Sequence, residues 1–352
     1  YRRFCAVLLI LCLLCGCAAE KEVTVISLPG EEKMAVEEQN APEATPAAAQ
    51  GKAVEEACHL ELQRHVPESL TGITALTVLG DTIIAGGSSE TGPSLVRFQV
   101  TGGETQTLDV PDGADYLYAL CENPDGGFFL LSGSLPAGYL DERGNFTFLS
   151  GDPEGNLALS RYDENFKRQE TTPFEKQYTE SSARFFQMTK TDGGFALVSA
   201  SMLVWLDDSG AETARQELDP NDGWAFAAMQ ERDGILFVLT RDLFRGEAPE
   251  LRAFDAKTLT PLEVQTLPLG TAGLGPGEDG TFLLTNSDGL SGYDLASGKV
   301  QTIASWRELG AKPDAEQIFQ TEDSYVLFSP NGEAVTTLFR QAGAGDGKEV
   351  LT

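Results

Sequence analysis

Asp279-Gly280-Thr281-Phe282-Leu283-Leu284, followed shortly by Gly292-Tyr293-Asp294-Leu295-Ala296-Ser297-Gly298-Lys299, is the stretch that decides the fold. Asp-Gly between apolar runs is the strongest short hairpin signal, because a tight turn requires positive φ. The unbroken apolar strand that follows suits a position buried on both faces. The second segment is a strand that ends on an aromatic residue and falls into a polar turn.

Both elements recur. The turn and buried strand return as Gly80-Asp81-Thr82-Ile83-Ile84, Asp125-Gly126-Gly127-Phe128-Phe129, Asp192-Gly193-Gly194-Phe195-Ala196, Asp233-Gly234-Ile235-Leu236-Phe237 and, in worn form, Asp323-Ser324-Tyr325-Val326. The second element returns with anchor residues at Phe98, Tyr162, Leu206, Phe254, Tyr293 and Phe339. Four of the five steps between anchors lie near the roughly 40–50-residue period of a four-stranded propeller blade. The long step falls in the second repeat, where 133–156 inserts a Gly- and Pro-containing loop.

Tyr293-Asp294-Leu295-Ala296-Ser297-Gly298-Lys299 resembles the hairpin of β-propellers of the YVTN and quinoprotein-like type. The resemblance extends over about 58–341 and implies an all-β, WD40-like propeller, although the WD40 Gly-His and Trp-Asp signatures are absent. About six four-stranded blades are expected, with seven the alternative and a pair of β-sandwiches the structural rival. Cys58-His59-Leu60-Glu61-Leu62-Gln63-Arg64 is a lone strand before the first repeat. Added to the last blade, it would close the ring and remove open edges.

The N-terminus reads as an address. Arg2 and Arg3 precede an apolar run, and Leu14-Cys15-Gly16-Cys17 follows. Basic, apolar and small-residue regions in that order make a secretory signal, and its Gly-Cys ending resembles the bacterial lipoprotein signal. The resemblance implies cleavage before Cys17 and acylation of that residue, with membrane anchoring through the lipid. An uncleaved span is the rival, but about 14 apolar residues fall short of the roughly 20 required. Segment 1–17 is therefore expected to be the signal and 18–57 a disordered spacer rich in Glu, Ala and Pro. The expected location is the extracytoplasmic face of a cell membrane.

The chain has 352 residues and a net charge of −29, from 54 acidic and 25 basic residues. Such a charge opposes binding to phosphate backbones, so no nucleic-acid partner is expected. Cys58 and Cys121 are the cysteines outside the signal. They read as two buried thiols, with one bridge as the alternative.

Sequence signals for catalysis are thin. No Gly-x-Ser-x-Gly elbow, phosphate-binding glycine loop or His-Glu-x-x-His pattern occurs. Trp205, Trp224 and Trp306 do not outline the cofactor cage of the quinoprotein dehydrogenases. His59 and His65 read as surface or satisfied side chains. Asp219-Pro220-Asn221-Asp222-Gly223 spaces oxygen ligands as a calcium loop does, with an interblade turn as the plainer alternative. No catalytic residue, metal or cofactor is therefore expected, and the chain reads as not an enzyme. A ligand would sit at one mouth of the ring, with Tyr116, Tyr139, Trp224 and Trp306 as candidates to stack on a sugar.

Past Arg340 a Gly/Ala linker leads into Lys348-Glu349-Val350-Leu351-Thr352. This resembles the opening strand of the solute-binding proteins of ABC importers. Segment 342–352 is thus expected to begin a further domain, and the chain reads as cut at both ends. The combined expectation is a lipid-anchored extracellular binding or scaffold module in a surface system that captures a solute, sugar or peptide. The partners implied are an importer permease and a small-molecule or glycan ligand. The alternatives are a propeller hydrolase or lyase acting on glycans and an envelope-assembly scaffold.

Overall fold

The computed structural model describes residues 59–134, 138–140, 146–148, 157–174, 185–219, 222–278, 280–313, 315–330, 332 and 334–341. The expected signal with Cys17, the spacer 18–57, Cys58 and the tail 342–352 lie outside the described residues.

Strand β1 (His59–His65) comes first in the chain. The first sheet holds β2 (Gly72–Leu79), β3 (Thr82–Ser89), β4 (Gly92–Gln99) and β5 (Gln106–Leu108). The second begins with β6 (Tyr116–Glu122) and β7 (Phe128–Gly133). It is interrupted by a separate hairpin of β8 (Gly138–Leu140) and β9 (Phe146–Phe148), then completed by β10 (Leu157–Tyr162) and β11 (Arg168–Pro173). The third is β12 (Gln187–Thr191), β13 (Gly194–Val198), β14 (Met202–Asp207) and β15 (Glu212–Glu217). The fourth is β16 (Trp224–Arg232), β17 (Ile235–Asp242), β18 (Glu250–Asp255) and β19 (Pro261–Thr266).

The remaining strands share one eight-stranded sheet. One half is β20 (Gly273–Pro276), β21 (Thr281–Thr285), β22 (Gly289–Asp294) and β23 (Lys299–Ser305), which runs into the short helix α1 (Trp306–Leu309). The other half is β24 (Gln317–Gln320), β25 (Ser324–Phe328) and β26 (Val335–Gln341), with β1 at its edge. The arrangement is all-β and propeller-like, with four separate four-stranded blades. β1 pairs antiparallel with β26 from His59 against Gln341 to His65 against Val335, the strand exchange expected from the sequence.

The repeated motif has a local physical cause at each of its parts. At the first turn of the fourth sheet Asp233 has φ 53° and Gly234 φ 78°, the paired left-handed conformation of a two-residue hairpin. At the second turn the Asp after the anchor caps the backbone. Asp294 Oδ1 accepts the Ser297 N–H at 2.8 Å, and Asp207 Oδ1 accepts the Ser209 hydroxyl at 2.6 Å and the N–H groups of Ala211 and Ser209 at 3.0 and 2.9 Å. These hydrogen bonds to the charged form hold both carboxyls below the usual Asp range.

The anchors before these Asp residues enter apolar clusters between successive sheets. Tyr162 lies with Ile84, Leu95 and Phe128 between the first and second sheets, and Leu206 with Phe129 and Phe195 between the second and third. Phe254 joins Trp205 and Phe226 between the third and fourth, and Tyr293 joins Phe237 and Leu251 beyond the fourth. Leu338 packs with Leu283 and Ile318 inside the eight-stranded sheet, and Phe98 with Val326 and Phe328 returns to the first. The sequence placed the last anchor at Phe339. In the structure Tyr325 opposes Leu338, as Ile83 opposes Phe98, so the buried anchor is Leu338. A one-residue slip moves a side chain to the other face of a strand, and Phe339 accordingly packs, half-buried, towards the first sheet.

Candidate functional site

Strand direction sorts the sequence candidates by position. Tyr116 and Trp224 open the innermost strands β6 and β16, Trp306 follows β23, and Tyr139 sits in the hairpin between β7 and β10. Tyr116, Trp224 and Trp306 lie at strand ends away from the Asp-Gly turns and Tyr139 is the middle residue of β8, whereas His59 and Gln341 lie on the side of those turns. Trp306 is 4% exposed and its indole N–H donates to the Asn286 carbonyl at 2.8 Å, so its surface serves packing. Tyr116 is half-buried and meets the Tyr118 ring edge-on at 4.8 Å. Trp224 is half-buried beneath the Arg252 guanidinium, 5.6 Å from the ring centre. The Tyr139 side chain, Pro220, Asn221 and the side chain of His59 fall outside what is described.

The axis is lined by one innermost strand after another, with Thr77, Cys121, Gln187, Met229, Pro276 and Gln317 around a cavity of about 180 Å³. Gln187 bridges two strands by donating to the Met229 carbonyl and accepting the Met229 N–H, both at 2.7 Å. Gln317 donates across to the Phe186 carbonyl at 3.1 Å. Both amides are buried, so their hydrogen bonds tie the strands together in place of water. Burial pushes the Cys121 thiol up to about 12, which makes it a poor nucleophile. It is a buried free thiol, and the other cysteine of the expected pair, Cys58, lies outside the described residues.

The larger cleft lies elsewhere, between the second and third sheets on the side of the Asp-Gly turns, with a volume of about 290 Å³. Phe129, Leu159 and Phe195 form its floor, and Arg161, Glu170, Asp125, Lys190 and Asp208 its charged rim. Phe129 and Phe195 meet edge-to-face at 4.9 Å and 79°. Lys190 Nζ bonds Asp208 Oδ1 at 2.9 Å and the carbonyls of Thr191 and Gly194 at 3.0 and 3.2 Å, above the Phe195 ring. None of these residues is among the sequence candidates. The available signal was Arg161 immediately before an anchor, a position also occupied by Arg97.

No protein-family model matches the chain, and no curated protein matches it. Solved structures similar to it include a catalytically inactive virginiamycin B lyase from Staphylococcus aureus with quinupristin. That likeness has 10% identity and a TM-score of 0.46, covering 80% of this chain and 99% of that one. The WD40 domain of Neurospora crassa Pan2 has 12% identity and a TM-score of 0.45 over 77% of this chain and 89% of that one. PQQ-bound aldose sugar dehydrogenase from Streptomyces coelicolor has 10% identity and a TM-score of 0.48 over 81% and 100%.

Enzymes and WD40 domains thus both stand among the similar structures. The expectation that the chain is not an enzyme stands corrected: the similar structures include a lyase, an aldose sugar dehydrogenase and a glucose dehydrogenase, each at 10% identity.

Proposed function

We propose that the chain is a lipid-tethered, extracytoplasmic propeller that takes up a small solute in the cleft between its second and third sheets. The observation that carries this reading is the cleft itself: an apolar floor, a ring of charges and an opening to solvent. Ligand sites combine these same elements. The blade count proposed is six. It divides the eight-stranded sheet where β20 and β24 meet in a parallel bridge between Leu274 and Gln317.

The tether proposed is Cys17, followed by the spacer 18–57. A flexible spacer of that length has a mean span on the order of 35 Å. The cleft and the start of β1 at His59 both lie on the side of the Asp-Gly turns, and this span leaves room for a solute to reach the cleft. An importer permease as partner rests on the resemblance carried by 348–352 alone.

Two measurements test the reading. In membrane fractionation of a bacterial host, Cys17→Ala should move the protein from the membrane to the soluble fraction. A panel of sugars, amino acids and short peptides should contain at least one class that raises the melting temperature, and Thr172→Trp, which fills the cleft, should abolish that rise. A rise that survives Thr172→Trp would remove the cleft from the proposal.

A further inference from the structure

The cleft wall is an ordered row of side chains. Arg161 lies directly between Glu170 on β11 and Phe129 on β7 in the strand register, and all three line the cleft. Two residues along the same strands, Thr172 and Leu159 repeat the row. The alternation of a strand therefore points one whole set of side chains at the third sheet.

The two cations at the rim differ in what they have left to give. An ammonium has three donors, and Lys190 spends them on Asp208, Thr191 and Gly194. Arg161 is exposed and makes no hydrogen bond or ion pair with any described residue, although Glu170 stands opposite it in the register. Its five donors in a planar fork match a carboxylate. Asp125 and Glu170 likewise form no ion pair among the described residues, and both line the same opening.

Resting on the assignment of the cleft as the solute site, we infer that its ligand is a small zwitterion with an apolar side chain. An α-amino acid or a dipeptide with free ends has that chemistry. The ligand carboxylate meets the Arg161 guanidinium, the ammonium meets Glu170 and Asp125, and the side chain covers Phe129, Leu159 and Phe195. A phosphate would face three carboxylates, Asp125, Glu170 and Asp208, around one opening. A neutral sugar would leave the guanidinium and the carboxylates without opposite charges. A volume of about 290 Å³ suits a ligand of one or two residues, at the small end of ordinary pockets.

The test is calorimetry on the full chain with L-phenylalanine and L-alanyl-L-phenylalanine, against 3-phenylpropionate, phenethylamine and glucose. A zwitterion should bind, and each analogue lacking one charge should bind about 10-fold weaker or less tightly still. Arg161→Ala should weaken the zwitterion about 10- to 100-fold with no change in melting temperature, and Arg161→Lys should fall between. Glu170→Gln should weaken phenethylamine and the zwitterion but leave 3-phenylpropionate unchanged or tighter. Binding of glucose in place of the zwitterions would overturn the ligand class and leave the capture function standing. Failure of both zwitterions at millimolar concentration, or equal binding by Arg161→Ala, would overturn the inference.

Discussion

Two neighbouring interfaces are built from the same parts, and one is filled while the other is open. Between the first and second sheets, Arg97 is bonded to Gln106 at 2.9 and 2.6 Å and lies 4.2 Å from the centre of the Phe166 ring. Between the second and third, Arg161 occupies the same place before its anchor, opposite Glu170 as Arg97 is opposite Gln106. The turn residue that matches Phe166 is Gly210. Both have positive φ, 62° and 82°, and both donate back to the Asp three residues earlier, at 2.9 Å. At this position one turn carries a ring that covers an arginine, while the other carries no side chain and is backed by Phe174, 3.0 Å from where a Cβ would stand. The repeat sets the scaffold, and the arginine is covered in one seam and uncovered in the other.

The largest effect expected from breaking this contrast is at the two aromatic residues of β7, one facing each seam. Phe128 is fully buried and stacked on Tyr162 at 4.4 Å and 8°. Phe128→Ala should cost about 3–5 kcal/mol in urea unfolding, from lost transfer energy and a closed cavity. Its neighbour Phe129 borders space already open to solvent, so Phe129→Ala should cost at least about 1 kcal/mol less. Equal losses would mean the two seams are packed alike.

Next in size is Gly210→Ala. A Cβ there would lie 3.0 Å from Phe174 Cδ1, on a backbone at φ 82°. Left-handed strain alone costs about 1 kcal/mol, and the contact adds to it. An unchanged denaturation midpoint would show that the turn relaxes freely.

Phe166→Gly should cost less than burial of its ring alone implies. Loss of the Arg97 contact costs about 0.5–1 kcal/mol and loss of packing on Phe128 and its cluster adds to it, while relief of the left-handed backbone returns about 1 kcal/mol. The useful readout is the uncovered arginine, seen as new small-molecule binding at Arg97.

The smallest effect expected is a pH slope at the exchanged strand. His65 lies 6.1 Å from Phe98, with Nε2 buried and unpartnered in the structure. Burial is the larger influence and lowers its pKa below the usual 6.5, against an opposing backbone hydrogen bond at Val100. The unfolded chain then takes up the proton first as pH falls. Stability is therefore full above about 6.5 and declines as pH drops from there towards the folded value. His65→Phe should flatten that slope in denaturation midpoints taken between pH 7 and 5. A slope that stays the same would assign it to other groups.

Much of this was legible in local sequence. Asp233-Gly234 and the Asp caps at 207 and 294 specify turns from their own chemistry, and Phe98, Tyr162, Leu206, Phe254 and Tyr293 are buried as their position in the repeat requires. The anchor misplaced at Phe339 shows where this fails. The preceding turn at 323 has lost its glycine, and without that marker the register can be read one residue out. Trp306 shows a second limit, since an indole suited to stacking on a ligand is equally suited to burial with its N–H satisfied.

By itself the sequence determined the strand-and-turn repeat, the residues buried between sheets and the lone strand that completes the last one. These follow from backbone conformation and period-2 burial within a few residues of each position. Only the tertiary structure decided which arginine is committed and which is free. Arg97 and Arg161 hold equivalent places in the repeat, and what distinguishes them is the Phe166 ring, which lies over Arg97 and has no counterpart over Arg161 among the described residues. That contact depends on how separate repeats pack, and no local pattern encodes it.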